Sequence, residues 1–408
     1  MAQIIASILA RGREQVLQQA AQAAMAGADW VELRLDCWPD GADLQAMIGA
    51  IRLPVLVAIR TEKEGGMYSG SLSERRSLFG RALAAGAAGI DLEDWETWTP
   101  SVGRDRLKLM VRSFHHMTGV PSDLEALQDR LFQSQGSVAK IVGRVDDLAD
   151  AAPLLDLLGS TEQRQRPTVA FAMGRTAWPS RILAAAYGAP FVYASVAHGQ
   201  ETAIGQIPVD ACAGLYRVHQ LSGTTSIFGL LGNPAFASQG PWLHNRALRR
   251  LDIDGVYLPF ETSRPEAVLA MLPRSRCGGL SVTAPHKATM AAQCHRLSAE
   301  ATATGVVNTL TFEAHGMVIG HNTDVAGVLG ALRRAGTSQV EPKSRNAAVL
   351  GTGGAARGAA YALLRLGYAV VMLGRSLEPV REFAANHEVH LARLSAEVLT
   401  DLDPAVVV

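Results

Sequence analysis

Cysteine is scarce in this sequence. Cys37, Cys212, Cys277 and Cys294 are the 4 in 408 residues, and no two form a C-x-x-C pair. So few in so long a chain argue against a disulfide framework and read as reduced thiols in a cytoplasmic protein, each a small buried apolar residue. Net charge is missing too. The 38 Lys+Arg balance 38 Asp+Glu, so no global field draws the chain to nucleic acid or to an anionic membrane. No apolar run approaches the ~20 residues of a membrane span. The N-terminal MAQIIASILARGREQ has too short an apolar run, and no basic region before it, for a signal peptide. The 39 Gly and 18 Pro are spread without a short repeat, which excludes collagen-like and low-complexity chains. No metal-ligand cluster stands out, and no metal is expected. What remains is 48% hydrophobic and 19% charged, the composition of a globular protein. Its length suits two or three domains.

The first half alternates short β-rich runs with alanine-rich segments of helical period. Eight candidate strands are Gln3–Ile8, Trp30–Leu35, Pro54–Ile59, Gly89–Leu92, Leu107–Arg112, Val138–Val142, Thr168–Ala172 and Phe191–Tyr193. Helices such as Glu14–Ala26 and Leu72–Ala85 separate them, and Pro121–Ser137 must hold both a loop and a helix. Alternation of this kind means a parallel sheet. Eight units in this span fit a closed (β/α)8 TIM barrel, with an open doubly wound sheet as the alternative. The strand ends read Glu32/Arg34, Arg60, Glu93, His115, Lys140, Met173 and Ser195. A barrel gathers all of them around one mouth, where partners and solvent relieve the cost of burying charge.

A small polar stretch, SGTTS, lies within Leu215–Ser226 after a predicted helix Pro208–Gln220, and marks the domain boundary. A second α/β region follows, with strands at Ile227–Leu231, Gly255–Leu258, Gly279–Val282 and Ala347–Leu350 and a helix near Val325–Arg334.

Lys140 sits in the apolar strand VAKIV. Desolvation and nearby cations favour a neutral amine, which can attack a ketone to form an imine. A strand-end lysine paired with a carboxylate is the commoner structural alternative. His115 ends the preceding strand, within plausible reach of Lys140, and a lysine nucleophile beside a histidine acid/base is a mechanism. Strand alternation turns His116 to the other side, where it is structural.

VELRLD, IRTEKEGG, DLE, RSFHHMTG, VAKIV, MGRTAWPSR and TAIGQIP occur in that order. Through them residues 1 to about 215 resemble the type I 3-dehydroquinate dehydratases. The resemblance implies a Schiff base between Lys140 and the substrate ketone, proton transfer by His115, and Glu64 orienting or assisting it. It implies that Glu32, Arg34, Arg60, Arg181, Thr202 and Gln206 hold the ring hydroxyls and carboxylate, with Arg181 as a permanently charged carboxylate fork. Thr202 stands where serine is expected and keeps the hydroxyl. A buried ion pair of Glu32 with Arg34 is an equally weighted alternative to substrate contact. The polar, Gly-containing stretch Gln200–Ile207 is a candidate lid over the site, or an ordinary βα loop.

In the second half, GTGGAARG follows the strand AAVL and opens the helix AAYALLRLG. Gly351, Gly353 and Ala356 fit G-x-G-x-x-A, and with Gly354 and Ala355 they form a turn whose N–H groups would receive a pyrophosphate. The next strand, AVVMLGRS, ends at Arg375 and Ser376 rather than at an acid, which favours the 2′-phosphate of NADP over NAD. A surface arginine capping the strand is the competing reading.

GNPAFASQGPWLHN, GGLSVTAPHK, ATGVVNTL and GHNTDVAG precede that turn. With them residues about 227 to 408 resemble the shikimate dehydrogenases. The resemblance implies that Lys287 and Asp324 form the catalytic pair, moving the proton that accompanies hydride transfer, and that Ser238, Thr283, Asn308 and Asn322 bind substrate oxygens. Three departures stand out. The S-x-S pair reads Ser238-Gln239-Gly240, a glycine seen in relatives that accept quinate. N-R-T reads Gly374-Arg375-Ser376, with Pro379 where a second basic residue often grips NADP. The chain stops at DLDPAVVV, inside an apolar strand of the dinucleotide domain, so a truncated chain is expected.

The expected layout is a dehydratase barrel over 1–220, a substrate-binding domain over 227–325 and an incomplete NADP-binding Rossmann domain over 326–408. The expected function is a multifunctional cytoplasmic enzyme of the shikimate pathway, on the way to chorismate and the aromatic amino acids. It combines a lyase and an NADP oxidoreductase, with small-molecule substrates and, by family analogy, a homodimer. The alternatives are a monofunctional dehydratase with a remnant second half, a quinate-directed enzyme, and a non-catalytic metabolite sensor.

Overall fold

A computed structural model describes residues 1–38, 43–100, 107–132, 137–164, 166–273, 275–313, 316–335 and 345–408. The chain divides into two compact units, residues 1–227 with 238–271, and residues 228–237 with 272–408.

The first unit is built on eight parallel strands: β1 Gln3–Leu9, β2 Trp30–Arg34, β3 Val55–Ala58, β4 Gly89–Glu93, β5 Leu109–His116, β6 Ser137–Arg144, β7 Thr168–Met173 and β8 Phe191–Ser195. Their order is β7-β6-β5-β4-β3-β2-β1-β8. Each strand neighbours its successor, and β8 returns to β1 with Ser7 level with Ser195. Across the remaining seam the rings of Phe171 and Tyr193 lie 6.4 Å apart. This is the expected (β/α)8 barrel, nearly closed.

Six helices alternate with the strands: α1 Arg13–Ala26, α2 Leu44–Ile48, α3 Leu72–Ala84, α4 Leu124–Leu131, α5 Ala152–Arg164 and α6 Pro179–Ala186. Local chemistry sets their ends. Gly27 closes α1 in the left-handed conformation, Ser71 and Glu74 form a capping box on α3, Asp123 caps α4 and Pro179 opens α6. The strands are apolar on the face toward the helices, as parallel sheets covered by crossovers require. The segment Pro208–Gln220 does not form the single helix expected of it. It is a wide turn of π-helix over Ala211–Leu215 and a 3-10 turn over Val218–Gln220. Arg217 between them takes φ 51°, which ends helical geometry.

The first unit continues through α7 Gly240–Arg250, β10 Gly255–Glu261 and α8 Pro265–Met271. Asp147, in the loop after β6, fastens the end of β10 to the barrel. It accepts from Thr262 Oγ1 at 2.7 Å and from Ser263 N at 2.9 Å, while Asp150 pairs with Arg264 at 2.7 Å.

The second unit holds most of β9 Ser226–Gly232, then β11 Cys277–Val282, β12 Arg296–Leu297, β13 Thr309–Phe312 and β14 Val318–His321, in the order β9-β11-β13-β14-β12. Around these lie α9 Lys287–Ala291, α10 Ala299–Thr304 and α11 Asp324–Arg334. A second sheet contains β15 Asn346–Leu350, β16 Ala369–Gly374, β17 His390–Arg393 and β18 Val406–Val407, with α12 Gly354–Arg365, α13 Arg381–His387 and α14 Ala396–Leu402. Its order, β17-β16-β15-β18, is all parallel. That is the start of a Rossmann sheet, with the strand order reversing at β15. Ala347, Val349, Val370 and Met372 pack there against Ala359, Ala360 and Leu363 of α12.

Among the described residues no helix is long and apolar enough to cross a membrane. All four cysteines are free, but Cys37 and Cys294 are half-buried where full burial was expected.

Candidate active site

The barrel strands carry polar side chains on alternate positions of their inner face, the period-2 rule of a strand. Asp91 and Glu93, Ser113 and His115, and Tyr193 and Ser195 are such pairs. Toward the C-terminal mouth the barrel holds a cavity of about 220 Å3 lined by Ser7, Glu32, Arg34, Arg60, Glu64, His115, Lys140, Phe171, Arg181, Tyr193, Thr202 and Gln206, among others.

Lys140 is buried, so it does not snorkel to solvent. Its Nζ lies 3.0 Å from Asp91 Oδ2, 3.6 Å from Glu32 Oε1 and 3.8 Å from the centre of the Tyr193 ring. The charges nearest to it are carboxylates, not the cations expected from sequence. Arg60 reaches the same Asp91 Oδ2 at 2.9 Å and donates to Ser113 Oγ at 2.7 Å. Burial works against ionising Asp91, but Arg60 and Lys140 outweigh it and hold the carboxyl well below its ordinary range.

Glu64 stands in the short turn after β3, where its Oε2 accepts from the backbone N of His115 at 3.1 Å and lies in hydrogen-bond contact with His115 Nδ1 at 2.9 Å. Burial dominates this pair. It pushes Glu64 up to about 8, against the pull of Arg60. It also lowers His115 well below its ordinary value, aided by Arg60 and Lys140. At neutral pH the imidazole is therefore uncharged and able to accept a proton. The turn itself needs Gly66, since a Cβ there would lie 2.1 Å from the Arg60 carbonyl.

Arg181 rises from α6 with its guanidinium 4.2 Å from the centre of Phe171. Its Nη2 donates to Ile204 O at 3.3 Å, and its buried Nε has no partner among the described residues. Burial lowers it to about 10, against a weaker upward pull from Cys212 and Glu32. A desolvated fork that forms no ion pair among the described residues is the chemistry of a carboxylate receptor. Gln206 Oε1 accepts from Thr202 N at 2.7 Å, and Thr202 Oγ1 donates to Ser7 Oγ at 2.8 Å, which in turn bonds Glu32. Arg34 also lines the cavity, and the alternative of an ion pair with Glu32 does not form. Both arms of its fork go to Asp36, at 2.8 and 2.9 Å, and neither goes to Glu32.

In the second unit Lys287, the first residue of α9, places Nζ 2.6 Å from Asp324 Oδ2 at the start of α11. Asn308 Nδ2 donates to Asp324 Oδ1 at 2.8 Å, and Asn322 Oδ1 accepts from Asp324 N at 3.1 Å while its Nδ2 bonds Thr304. These four are one connected cluster. The dinucleotide-type turn approaches it closely. A Cβ on Gly354 would lie 2.9 Å from Lys287 Cδ, and one on Gly358 would lie 3.1 Å from Asp324 Cβ. Thr283 lies just after β11, where its N donates to Leu231 O. Ser238 belongs to the first unit, and its Oγ accepts from Gly240 N at 3.0 Å at the start of α7.

The strand–turn–helix from β15 to α12 fits a dinucleotide phosphate. Gly351 takes φ +134°, nothing stands within 4 Å of a Cβ on Gly353, and the N–H groups of Gly354, Ala355 and Ala356 begin the helix with no carbonyl four residues back. Arg375 and Ser376 are exposed at the end of the adjacent β16.

The family model for type I 3-dehydroquinase matches residues 4–222, more than half of the chain. The chain belongs to that family. A second model, the shikimate dehydrogenase substrate binding domain, matches residues 230–310. A bifunctional 3-dehydroquinate dehydratase/shikimate dehydrogenase, chloroplastic, from Arabidopsis thaliana is 30% identical over 402 residues, covering 93% of this chain and 66% of that protein. A shikimate dehydrogenase (NADP(+)) from Rubrobacter xylanophilus is 40% identical over 152 residues, covering 37% of this chain and 52% of that one. The solved structure of dehydroquinate dehydratase and shikimate dehydrogenase from S. pombe AroM covers all of this chain and 82% of that one, at 24% identity and a TM-score of 0.44. The chain thus spans just under two thirds of the Arabidopsis relative.

Sequence reasoning missed the cavity residues Ser7, Phe171 and Tyr193 of this type I dehydroquinase, and also Asp91 and Ser113, which bond the cavity residues Lys140 and Arg60 from behind. Asp91 had a readable signal, since an acid two positions before Glu93 on a short apolar strand shares its inward face. Glu93 itself, read as a mouth residue, is turned to structure. It accepts from Thr61 N and Trp95 Nε1 and pairs with Arg75 at 3.4 Å. His116 stacks on Phe114 at 6.3 Å.

Proposed function

We propose that the barrel dehydrates 3-dehydroquinate to 3-dehydroshikimate through an imine on Lys140, and that the C-terminal half reduces the product to shikimate with NADPH. The observation that carries the first step is the lysine amine buried at the wall of a small cavity, with a neutral histidine and, on the same cavity, an arginine that forms no ion pair among the described residues.

Lys140 Nζ adds to the ketone carbon, and loss of water leaves a protonated imine, an electron sink. His115 takes the proton from the adjacent carbon, and the C–H electron pair moves into the imine to give an enamine. The pair then returns and expels the β-hydroxyl, which leaves as water with the proton from His115. Hydrolysis frees Lys140. Glu64 holds the imidazole through Nδ1. Arg181 takes the substrate carboxylate, and Glu32, Arg60, Thr202 and Gln206 take its hydroxyls. Arg34, held by Asp36 at the cavity wall, joins them in binding the substrate.

In the second half, NADPH held at Gly351, Gly353, Gly354, Ala355, Ala356, Arg375 and Ser376 would supply hydride. Lys287 gives the proton to the carbonyl oxygen, Asp324 aligns the lysine, and Ser238, Thr283, Asn308 and Asn322 hold substrate oxygens. The Gly240 position favours a second substrate reading, quinate, because a hydroxyl donor is missing there. We assign 1–220, 227–325 and 326–408 as the three functional segments, small molecules as the partners, a homodimer as the assembly and the cytoplasm, which suits four free thiols, as the location.

Incubation with 3-dehydroquinate, then borohydride and peptide mass analysis, tests the first step. A substrate-sized adduct on Lys140, lost in Lys140→Ala, is expected. A folded chain without adduct or turnover would overturn the dehydratase reading and favour the sensor. NADPH oxidation with 3-dehydroshikimate, compared with quinate and NADP+, tests the second half, and no turnover with either would leave it a remnant.

A further inference from the structure

Three buried polar atoms of cavity-lining residues lack a hydrogen-bond partner among the described residues: Glu32 Oε1, Arg181 Nε and the Tyr193 hydroxyl. The first two belong to residues already given to the substrate. Tyr193 does not, and the reaction above makes no use of it.

Tyr193 stands on β8, level with Ile5 of β1 and one inward position below Ser195. Its ring lies beneath Lys140 Nζ at 3.8 Å and beside Phe171. Phenylalanine would fill the same volume without leaving a hydroxyl buried and unbonded, an arrangement that costs stability. A tyrosine is useful at such a place when something entering the cavity accepts from it. It stays able to donate, because burial, then the carboxylates of Asp91 and Glu32, hold the phenol's titration well above its ordinary value. The ring face, for its part, attracts a cation. The protonated imine is such a cation, so this face favours the state that draws electrons from the neighbouring C–H bond.

We propose that Tyr193 is a further substrate-binding residue of the barrel site: its hydroxyl donates to an oxygen of the ring substrate, and its ring caps the Lys140 nitrogen as the cationic imine. This rests on the imine reading of Lys140.

The test uses the full chain and two substitutions. Tyr193→Phe removes only the hydroxyl. The expected result is a rise in KM of about tenfold, the worth of one neutral hydrogen bond, with kcat within about threefold. Its melting temperature without ligand stays level or rises, while the increase produced by 3-dehydroshikimate shrinks. Tyr193→Leu, or Tyr193→Met if the leucine variant does not fold, removes the ring as well. It is expected to lower kcat by a further tenfold or so and to reduce the borohydride adduct on Lys140. A Tyr193→Phe variant with the parental KM and the parental response to product would mean that water, not substrate, meets the hydroxyl. Equal kcat in the phenylalanine and leucine variants would refute the capping role. A parent chain with neither adduct nor turnover would instead overturn the imine reading, before any substitution is made.

Discussion

Replacing Asp91 by Asn removes one charge from the centre of the barrel and nearly preserves the side chain's shape. The carboxylate is fully buried, with Oδ2 2.9 Å from Arg60 and 3.0 Å from Lys140. The amide leaves both cations without their nearest anion. Breaking a buried ion pair from one side costs about 3–5 kcal/mol. The lower figure applies here, because Arg60 keeps Glu93 at 3.5 Å and Lys140 keeps Glu32 at 3.6 Å. About 3 kcal/mol, at roughly 2–4 °C per kcal/mol for a domain of this size, lowers the melting of the barrel by ~6–12 °C. Calorimetry of the full chain at neutral pH, following the transition that the reduced Lys140 adduct raises, measures it. Arg130→Gln is the control. It breaks a pair of 2.8 Å to Asp94, but the arginine side chain is 54% exposed, and surface pairs contribute about 0–1 kcal/mol. A shift under about 2 °C for Asp91→Asn, or one matched by the control, would refute the account of Asp91 as the anion that holds the two cations. The adduct on Lys140 should fall in the same variant, since its amine loses its closest anchor.

The pH behaviour follows from Glu64 and His115. Glu64 is raised from 4.5 to about 8 in the folded protein. Between those values the folded state binds more protons than the unfolded one, so its contribution is full below pH 4.5 and is lost as pH rises through 8. Glu64→Gln should flatten that decline in melting temperature, and an unchanged profile would refute it. His115 is lowered, so its stabilising contribution is complete above 6.5 and lost as pH falls. The acid limb of kcat/KM for dehydration should therefore lie below 6.5, and a limb above 7 would contradict an uncharged base. Gly66→Ala drives a Cβ into the Arg60 carbonyl. Dehydration should drop at least tenfold with NADPH oxidation unaffected, as read in parallel assays. Asp324→Asn frees Lys287 from its partner and should lower NADPH-dependent reduction by about 100-fold or more while dehydration is retained. Equal loss of both activities would point to misfolding.

Much of this protein can be read along the chain because its elements are local. The alternation of apolar strands and alanine-rich helices predicts seven of the eight barrel strands within two residues at either end, while β5 runs four residues past the expected Arg112 to His116; burial on both faces leaves strands almost no compositional freedom. The turn from Ala347 to Arg357 is equally local, because glycine, strand and helix occur in one run of sequence. Where neighbours decide a residue's state, sequence falls short. Pro208–Gln220 has helical composition but breaks at Arg217. A pairing of Arg34 with Glu32 is one of two readings open in sequence, yet Arg34 turns to Asp36 two residues on. The cations expected around Lys140 are carboxylates instead, because β4, two strands away along the sheet, turns Asp91 inward. Glu64 is protonated at neutral pH and Tyr193 is left with an unbonded hydroxyl for the same reason. Burial and the placement of charges from distant strands set both, and neither quantity exists until the barrel has closed around them.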